Sequence, residues 1–131
     1  MKSGLNIGQT ESIQITVSSD MFAQFDGNVV HPTYSTVSMI YHMEWASRKI
    51  ILPFLEEDEE GMGGAVSAKH LAPAPEGSKL TIIAELIEYD RNIVITKVSV
   101  FRDTELIGIG EIKQVILPKR KITKMLNNGL Q

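Results

Sequence analysis

The chain has 131 residues, 43% of them hydrophobic and 22% charged, which predicts one globular domain over residues 1–131 with a packed core. It contains no cysteine, so disulfides, a thiolate nucleophile and cysteine-ligated metal sites are excluded, and a reducing cytoplasm is the expected compartment. The net charge of −3 gives no general attraction to nucleic acid, and the apolar stretches are too short for a signal peptide or a membrane span.

The first elements follow from the periodicity of the sequence. Residues 12–17 alternate polar and apolar side chains, which predicts a strand with one buried face. Residues 19–30 mix glycine and acidic residues with methionine and phenylalanine, so we expect a loop with apolar anchors in the position of a lid. From Pro32, apolar residues recur at steps of three and four, which predicts the only long helix. It should end near Leu55, because the acidic run 56–60, expected as a solvated helix end, opposes the negative C-terminus of a helix, and a glycine-rich turn follows.

Four further strands follow the helix. They are predicted at residues 65–71, 80–88, 93–101 and 106–117. The connections between the later strands are short enough for antiparallel hairpins, whereas parallel pairing would need long crossovers. Residues 119–131 form a basic tail whose terminus should fray. The order of elements therefore predicts an α+β fold, with an antiparallel sheet wrapped around one long central helix.

Glu44 is the first candidate for chemistry. It shares a predicted helical stripe with Val37, Ile40 and Ile51, where an ionised carboxylate is costly to bury without a partner. The carboxylate either lies at the edge of the stripe, reaching water or pairing with Arg48 one turn on, or occupies a partly apolar site suited to a base or nucleophile. Spacing alone favours the first interpretation.

Thr36 and the histidines are weaker candidates. Thr36 should lie in the first helical turn, about 12 Å along the axis from Glu44, where its hydroxyl either caps the helix or points at a substrate oxygen. The three histidines, His31, His42 and His70, lack metal-ligand spacing, and His42 is off the predicted apolar stripe. A strand histidine such as His70 is more often structural than catalytic. We therefore expect no metal site.

Several strings of residues, taken in order, resemble a known family. They are Thr36-Val37-Ser38-Met39-Ile40-Tyr41-His42-Met43-Glu44-Trp45-Ala46, Pro53-Phe54-Leu55, Gly63-Gly64, His70-Leu71-Ala72-Pro73-Ala74-Pro75-Glu76-Gly77 and Ile107-Gly108-Ile109-Gly110. The sequence resembles the hot-dog-fold acyl-CoA thioesterases, and within them the fluoroacetyl-CoA thioesterase family, from about residue 22 to residue 117. The resemblance implies a single hot-dog domain that works as a homodimer. It also implies hydrolysis of an acyl-CoA to free acid and CoA, with no metal or other cofactor.

The resemblance further implies a catalytic set, which falls on Thr36, Glu44 and His70. Glu44 would be the general base for water or a direct nucleophile on the thioester carbonyl. Thr36 would orient the thioester or Glu44. His70 would polarise the carbonyl or carry a proton.

Substrate-binding residues are expected around this set. By the resemblance, the backbone of Gly63 and Gly64 would lie at the acyl end, and Phe25 would take the place of the phenylalanine that gates the acyl pocket. The phosphates of CoA should meet basic side chains, for which Lys69 and residues 119–121 are the candidates.

Two departures from the family bear on the substrate. The segment between Phe25 and Thr36 is several residues longer than in the fluoroacetate-specific enzyme, so the resemblance does not extend to the acyl group. After Gly110, the threonine, histidine and arginine of the family are replaced by Glu111, Ile112 and Gln114. A non-catalytic hot-dog module that binds acyl-CoA or only dimerises is the alternative function, and a dehydratase on the same fold is less favoured.

Overall fold

A computed structural model describes residues 1–129 of the chain. The elements, in chain order, are β1 (Thr10–Thr16), β2 (Phe22–Phe25), β3 (Asn28–Tyr34), α1 (Thr36–Ile51), β4 (Glu59–His70), β5 (Lys79–Asp90), β6 (Ile93–Arg102), β7 (Glu105–Pro118) and α2 (Lys119–Gly129). Short 3-10 turns at Ser19–Met21 and Leu52–Phe54 precede β2 and follow α1. No helix within residues 1–129 is long and apolar enough to cross a membrane.

Five strands form one antiparallel sheet in the order β1-β5-β6-β7-β4, and α1 contacts all five. This arrangement confirms the predicted α+β fold with a sheet wrapped around a central helix. The helix approaches the sheet closely at two glycines of β7. A Cβ atom at Gly108 would lie 2.4 Å from the sulfur of Met39, and one at Gly110 would lie 2.9 Å from the sulfur of Met43. The repeated glycines therefore make room for the methionines of α1.

The prediction of a loop at residues 19–30 was wrong for most of that segment. Strands β2 and β3 pair there as a separate antiparallel hairpin. Asp26 and Gly27 connect the two strands, with φ angles of 52° and 78°. A two-residue turn with both φ angles positive matches the twist of a hairpin, and Asp-Gly is one of its preferred sequences.

The central helix begins later and ends earlier than predicted. Pro32 lies in β3, and the helix starts at Thr36 after the N-cap Ser35, whose hydroxyl accepts a hydrogen bond from the Ser38 N–H at 3.0 Å. Capping by a serine side chain satisfies one of the unpaired N–H groups of the first turn. The α-helix ends at Ile51 and continues as the 3-10 turn.

The buried face of α1 is not the predicted stripe. Its buried residues are Met39, His42, Met43, Ala46, Ser47, Ile50 and Ile51. Val37 is 72% exposed, and Glu44 also lies on the exposed face. The prediction that His42 lies off the buried face was likewise wrong. Both faces of this helix carry large apolar residues, so spacing could not show which one the sheet covers.

The acidic run does not form a solvated helix end. Glu59 and Glu60 begin β4, where Glu60 accepts a 2.8 Å hydrogen bond from Arg48 Nη1 and Glu59 lies 3.1 Å from the Met1 ammonium. The glycine-rich segment 61–64 lies within the same strand and is not a turn. Pairing with the 14-residue β7 extends β4 over these residues.

The basic tail is not frayed over the part that the structure describes. Residues 119–129 form α2, which begins directly after β7. The Lys119 N–H donates to the Asp58 carbonyl at 2.6 Å, so the start of the helix is tied to the beginning of β4. The last two residues of the predicted tail lie outside the described residues.

Candidate active site

Thr36 and His70 meet where α1 begins and β4 ends. The Thr36 Oγ1 atom lies 2.9 Å from His70 Nδ1, although the residues are 34 positions apart. Thr36 is the first residue of α1, and the alternation of β4 turns His70 toward the helix side of the sheet, opposite Gly108. The structure thus brings together two of the three residues predicted to be catalytic.

The imidazole of His70 has one free nitrogen. Its Nε2 atom is buried and has no hydrogen-bond partner in the described part of the chain. Burial is the main influence on the pKa of His70 and lowers it, while the nearby backbone of Ala72 opposes that shift in part. A neutral imidazole has one donor and one acceptor nitrogen, so pairing with Thr36 leaves Nε2 for a ligand.

Two cavities flank Thr36. The first has a volume of about 330 Å³ and is lined by Tyr34, Thr36 and His70 together with His31 and residues 71–73. The second has a volume of about 290 Å³ and lies between the β2–β3 hairpin and the first turn of α1. The Thr36 side chain therefore stands between a space that reaches His70 and one that reaches the hairpin.

Glu44 belongs to a different part of the chain's surface. A Cβ atom at Gly63 would lie 3.6 Å from Glu44 Oε1, so the carboxylate rests against the backbone of β4. Arg48, considered above as its partner, binds Glu60 instead. Glu44 is about 12 Å along the helix axis from Thr36, and Gly63 is about 20 Å along β4 from His70. Within one chain, the predicted catalytic set is divided into two half-sites.

The predicted substrate-binding residues Phe25, Gly64 and Lys69 do not all lie beside these half-sites. Phe25 is 68% exposed at the end of β2 and lines the second cavity with Thr36. Gly64 lies at an irregularity of β4, against the side chains of Val115 and Lys113. Lys69 points to the opposite face of the sheet from His70, as alternation requires, and the structure does not bring it to the Thr36–His70 pair.

Sequence reasoning missed Tyr34 and misplaced His42. Both are buried, and Tyr34 Oη lies 2.7 Å from His42 Nδ1. Tyr34 also packs edge-on against His70, with ring centroids 6.2 Å apart. No spacing rule predicts this contact, because Tyr34 precedes the helix and reaches His42 only through the bend at Ser35. Within residues 1–129, no group of three histidine, aspartate or glutamate side chains could hold a metal ion.

Comparison with known proteins agrees with this fold. The sequence profile of the fluoroacetyl-CoA-specific thioesterase family matches residues 17–120. The chain belongs to this family. It is a thioester hydrolase by that membership, which favours an enzyme over the non-catalytic module. A fluoroacetyl-CoA thioesterase of Streptantibioticus cattleyicolor is 26% identical over 132 residues, covering 92% of this chain and 91% of the relative.

This chain is also similar to two solved structures. A thioesterase superfamily member from Thermus thermophilus is 39% identical, with a TM-score of 0.92 over 96% of this chain and 93% of that one. A mutant of the fluoroacetyl-CoA thioesterase, solved in complex with acetyl-CoA, is 20% identical, with a TM-score of 0.88 over 96% of this chain and 99% of that one. At that identity the second likeness concerns the fold alone.

Proposed function

We propose that this family member hydrolyses an acyl-CoA with a small or medium acyl group to the free acid and CoA. The observation that carries the proposal is the Thr36–His70 hydrogen bond beside a cavity, with Nε2 of His70 buried and without a hydrogen-bond partner among residues 1–129. An imidazole nitrogen in that position is suited to donate a hydrogen bond to a thioester oxygen or a proton to the departing thiolate. The acetyl-CoA complex of the related enzyme is consistent with this class of substrate.

Glu44 supplies the carboxylate that the reaction needs. It either takes a proton from the attacking water or attacks the thioester carbonyl itself, forming an anhydride that water then opens. In both routes the C–S bond breaks, the sulfur leaves as the thiol of CoA, and water provides the oxygen of the acid. Side chains and water suffice for this chemistry, so we propose no metal or further cofactor.

The separation of the two half-sites supports a second copy of the chain as part of the working unit. Strand β4 is an edge strand that pairs only with β7 among the described strands, and edge strands readily pair with another chain. Large apolar side chains are exposed on this strand and on the outer face of α1: Val37, Tyr41, Trp45, Met62 and Val66. Apolar side chains clustered beside an unpaired edge are typical of a protein interface. We therefore propose a homodimer.

The positions of the half-sites suggest the register of that dimer. Gly64 and His70 are equally spaced about Ser67 in β4. If two copies of β4 pair antiparallel about a two-fold axis at Ser67, Gly64 of the second copy lies opposite His70 of the first. The second copy's Glu44, which rests against Gly63, then approaches the Thr36–His70 pair. Each dimer would contain two complete sites.

The same arrangement supports positions for the acyl end and the phosphate end of the acyl-CoA. The acyl group would occupy the second cavity, beside Phe25 and the first turn of α1. The CoA phosphates would meet cationic side chains, with residues 119–121 of α2 the better candidates because Lys69 points away from the half-sites. The absence of cysteine is compatible with a cytoplasmic location, which we retain as part of the proposal.

The experiment is a hydrolysis assay of the purified protein against acyl-CoAs of two to ten acyl carbons, including fluoroacetyl-CoA, with free thiol measured. We expect saturable thiol release and a fall in kcat of at least about 100-fold for Glu44→Gln, which keeps the shape but removes the base or nucleophile. Glu85→Gln, the same change on the outer face of β5, serves as the control and should leave kcat unchanged. Wild-type rates in folded Glu44→Gln protein would refute the assigned role of Glu44.

A further inference from the structure

Tyr34 and His42 form a buried pair directly behind the Thr36–His70 contact. Tyr34 is 1% exposed and His42 is 5% exposed. The Tyr34 hydroxyl lies 2.7 Å from His42 Nδ1, and the two rings stack with centroids 5.7 Å apart and planes 11° from parallel. Two aromatic polar residues in a hydrophobic core are costly unless each satisfies the other. The reaction proposed above does not use this pair.

The protons of the pair have a defined arrangement. Burial raises the pKa of the Tyr34 hydroxyl, so the tyrosine is neutral and carries a proton to donate. Burial lowers the pKa of His42, although the negative charge of Asp20 opposes this shift. A neutral His42 can accept at Nδ1 if its proton is on Nε2. In that tautomer the Tyr34 hydroxyl donates the hydrogen bond to His42.

Tyr34 connects this pair to His70. Its ring meets the His70 ring edge-on, with centroids 6.2 Å apart and an angle of 77°. Both side chains line the same cavity. The backbone of Tyr34 is also fixed, because its N–H donates to the Ala74 carbonyl at 2.8 Å. His70 is thus held by the Thr36 hydroxyl at one nitrogen and by the Tyr34 ring at its side.

We propose that Tyr34 and His42 are positioning residues for His70. The hydrogen bond to His42 fixes the ring of Tyr34, and that ring limits the orientations of the His70 imidazole, so that Nε2 points to the substrate. The inference rests on the proposed function, in which His70 acts on the thioester. Small displacements of a catalytic group reduce the rate strongly, so the pair should affect kcat more than KM.

The test uses Tyr34→Phe, His42→Leu and the double variant Tyr34→Phe/His42→Leu. Each single change leaves one buried polar group without its partner, whereas the double change removes both. We expect both single variants to melt at lower temperature and the double variant to recover much of that loss. In the double variant kcat should still be about tenfold below wild type, with KM within about twofold. Tyr89→Phe, which removes a tyrosine hydroxyl from the distant part of β5, is the control.

A second readout does not depend on activity. Nitrogen-15 NMR of the histidine side chains should show one fixed tautomer of His70 in the wild type and in Tyr89→Phe, and averaged nitrogen shifts in the double variant. Recovery of both stability and kcat in the double variant, with an unchanged His70 spectrum, would overturn the proposal and leave the pair a structural contact. If the wild type hydrolyses no acyl-CoA, the proposed function fails, and the His70 spectrum alone decides whether the pair positions that ring.

Discussion

The hydroxyl of Thr36 and Nδ1 of His70, 2.9 Å apart, join the first turn of the central helix to the last residue of strand β4. The bond holds the imidazole at the edge of a cavity, with the other nitrogen free of protein partners in the described chain. Variants of Thr36 test the effect of this hydrogen bond on activity separately from the effect of Glu44.

Replacing Thr36 with valine should release His70 without a large change of shape. We expect kcat to fall about tenfold to 100-fold, which is less than the roughly 10²–10⁴-fold loss of a general acid or base, because the imidazole of His70 remains. Thr36→Ser, which keeps the hydroxyl, should stay within a few-fold of wild type. Steady-state kinetics of both variants check this, and equal rates for Thr36→Val and Thr36→Ser would mean that the hydroxyl is unimportant.

His70→Ala should also lower kcat, and its effect should overlap with that of Glu44→Gln. If both side chains act on one transition state, the loss in the double variant is smaller than the product of the two single losses. The measurement is a double-mutant cycle on kcat with one acyl-CoA. Full multiplicativity would indicate that the two residues act in independent steps, against a shared site.

The dimer and its register can be tested with one cysteine, because the chain has none. At a two-fold axis in an antiparallel pair, the two copies of Ser67 lie about 5 Å apart, within disulfide range. Ser67→Cys should therefore form a cross-linked dimer under mild oxidation. In Ala65→Cys, on the same face, the two copies would lie about 13 Å apart and should stay reduced.

Light scattering measures the oligomeric state directly. The wild type should show twice the 14.5 kDa of one chain at micromolar concentration. A monomer that retains full activity would contradict the divided site. A dimer in which Ala65→Cys cross-links faster than Ser67→Cys would place the axis elsewhere on β4.

Folding stability should fall as the solution becomes acidic, beginning near the ordinary histidine pKa of 6.5. Burial lowers the pKa of both His42 and His70, so below pH 6.5 the unfolded chain binds more protons than the folded one. The histidine contribution is therefore complete above pH 6.5 and is lost as the pH decreases. Urea unfolding at pH 7.5, 6.5 and 5.5 measures this, and a maximum of stability at pH 5.5 would contradict it.

The carboxylates of Glu59 and Glu60 should extend the loss of folding stability to lower pH. A hydrogen bond from the Glu56 backbone lowers the pKa of Glu59, and one from the Arg48 side chain lowers that of Glu60. Their contributions are complete above the ordinary pKa of 4.5 and disappear as the pH falls below it. The double variant Tyr34→Phe/His42→Leu should weaken the dependence between pH 5.5 and 7.5 but leave this lower limb intact.

Gly110 should not tolerate a side chain. An alanine Cβ there would lie 2.7 Å from the Ser67 carbonyl oxygen and 2.9 Å from the sulfur of Met43. Because a backbone atom cannot move aside like a side-chain end, we expect Gly110→Ala to lower the free energy of unfolding by about 1–3 kcal/mol. Gly63→Ala meets only an ordinary contact at 3.6 Å and should be nearly neutral in a urea titration.

The sequence alone was sufficient to predict the five-stranded sheet and its central helix. Alternation of polar and apolar residues predicted the first sheet strand, turn-rich segments delimited the other four, and short connections predicted antiparallel pairing. It was insufficient for the hairpin of β2 and β3, because the Asp26-Gly27 turn was read as part of a loop. It also failed for α2: Ile122, Met125 and Leu126 recur at helical spacing, but the prediction treated the basic segment as a frayed tail, and the bond from Lys119 to Asp58 is seen only in the structure.

The sequence by itself supplied a predicted catalytic set, because the resemblance to the family implies Thr36, Glu44 and His70 in those roles. Only the tertiary structure decided how these residues are grouped. Helical spacing could not show which apolar face of α1 the sheet covers, and it put Glu44 on the buried side and His42 outside it. The packing of Met39 and Met43 against β7 fixes the rotation of the helix, because only the glycines of that strand leave room for them. That rotation buries His42 and puts Glu44 on the exposed face, against the edge strand β4.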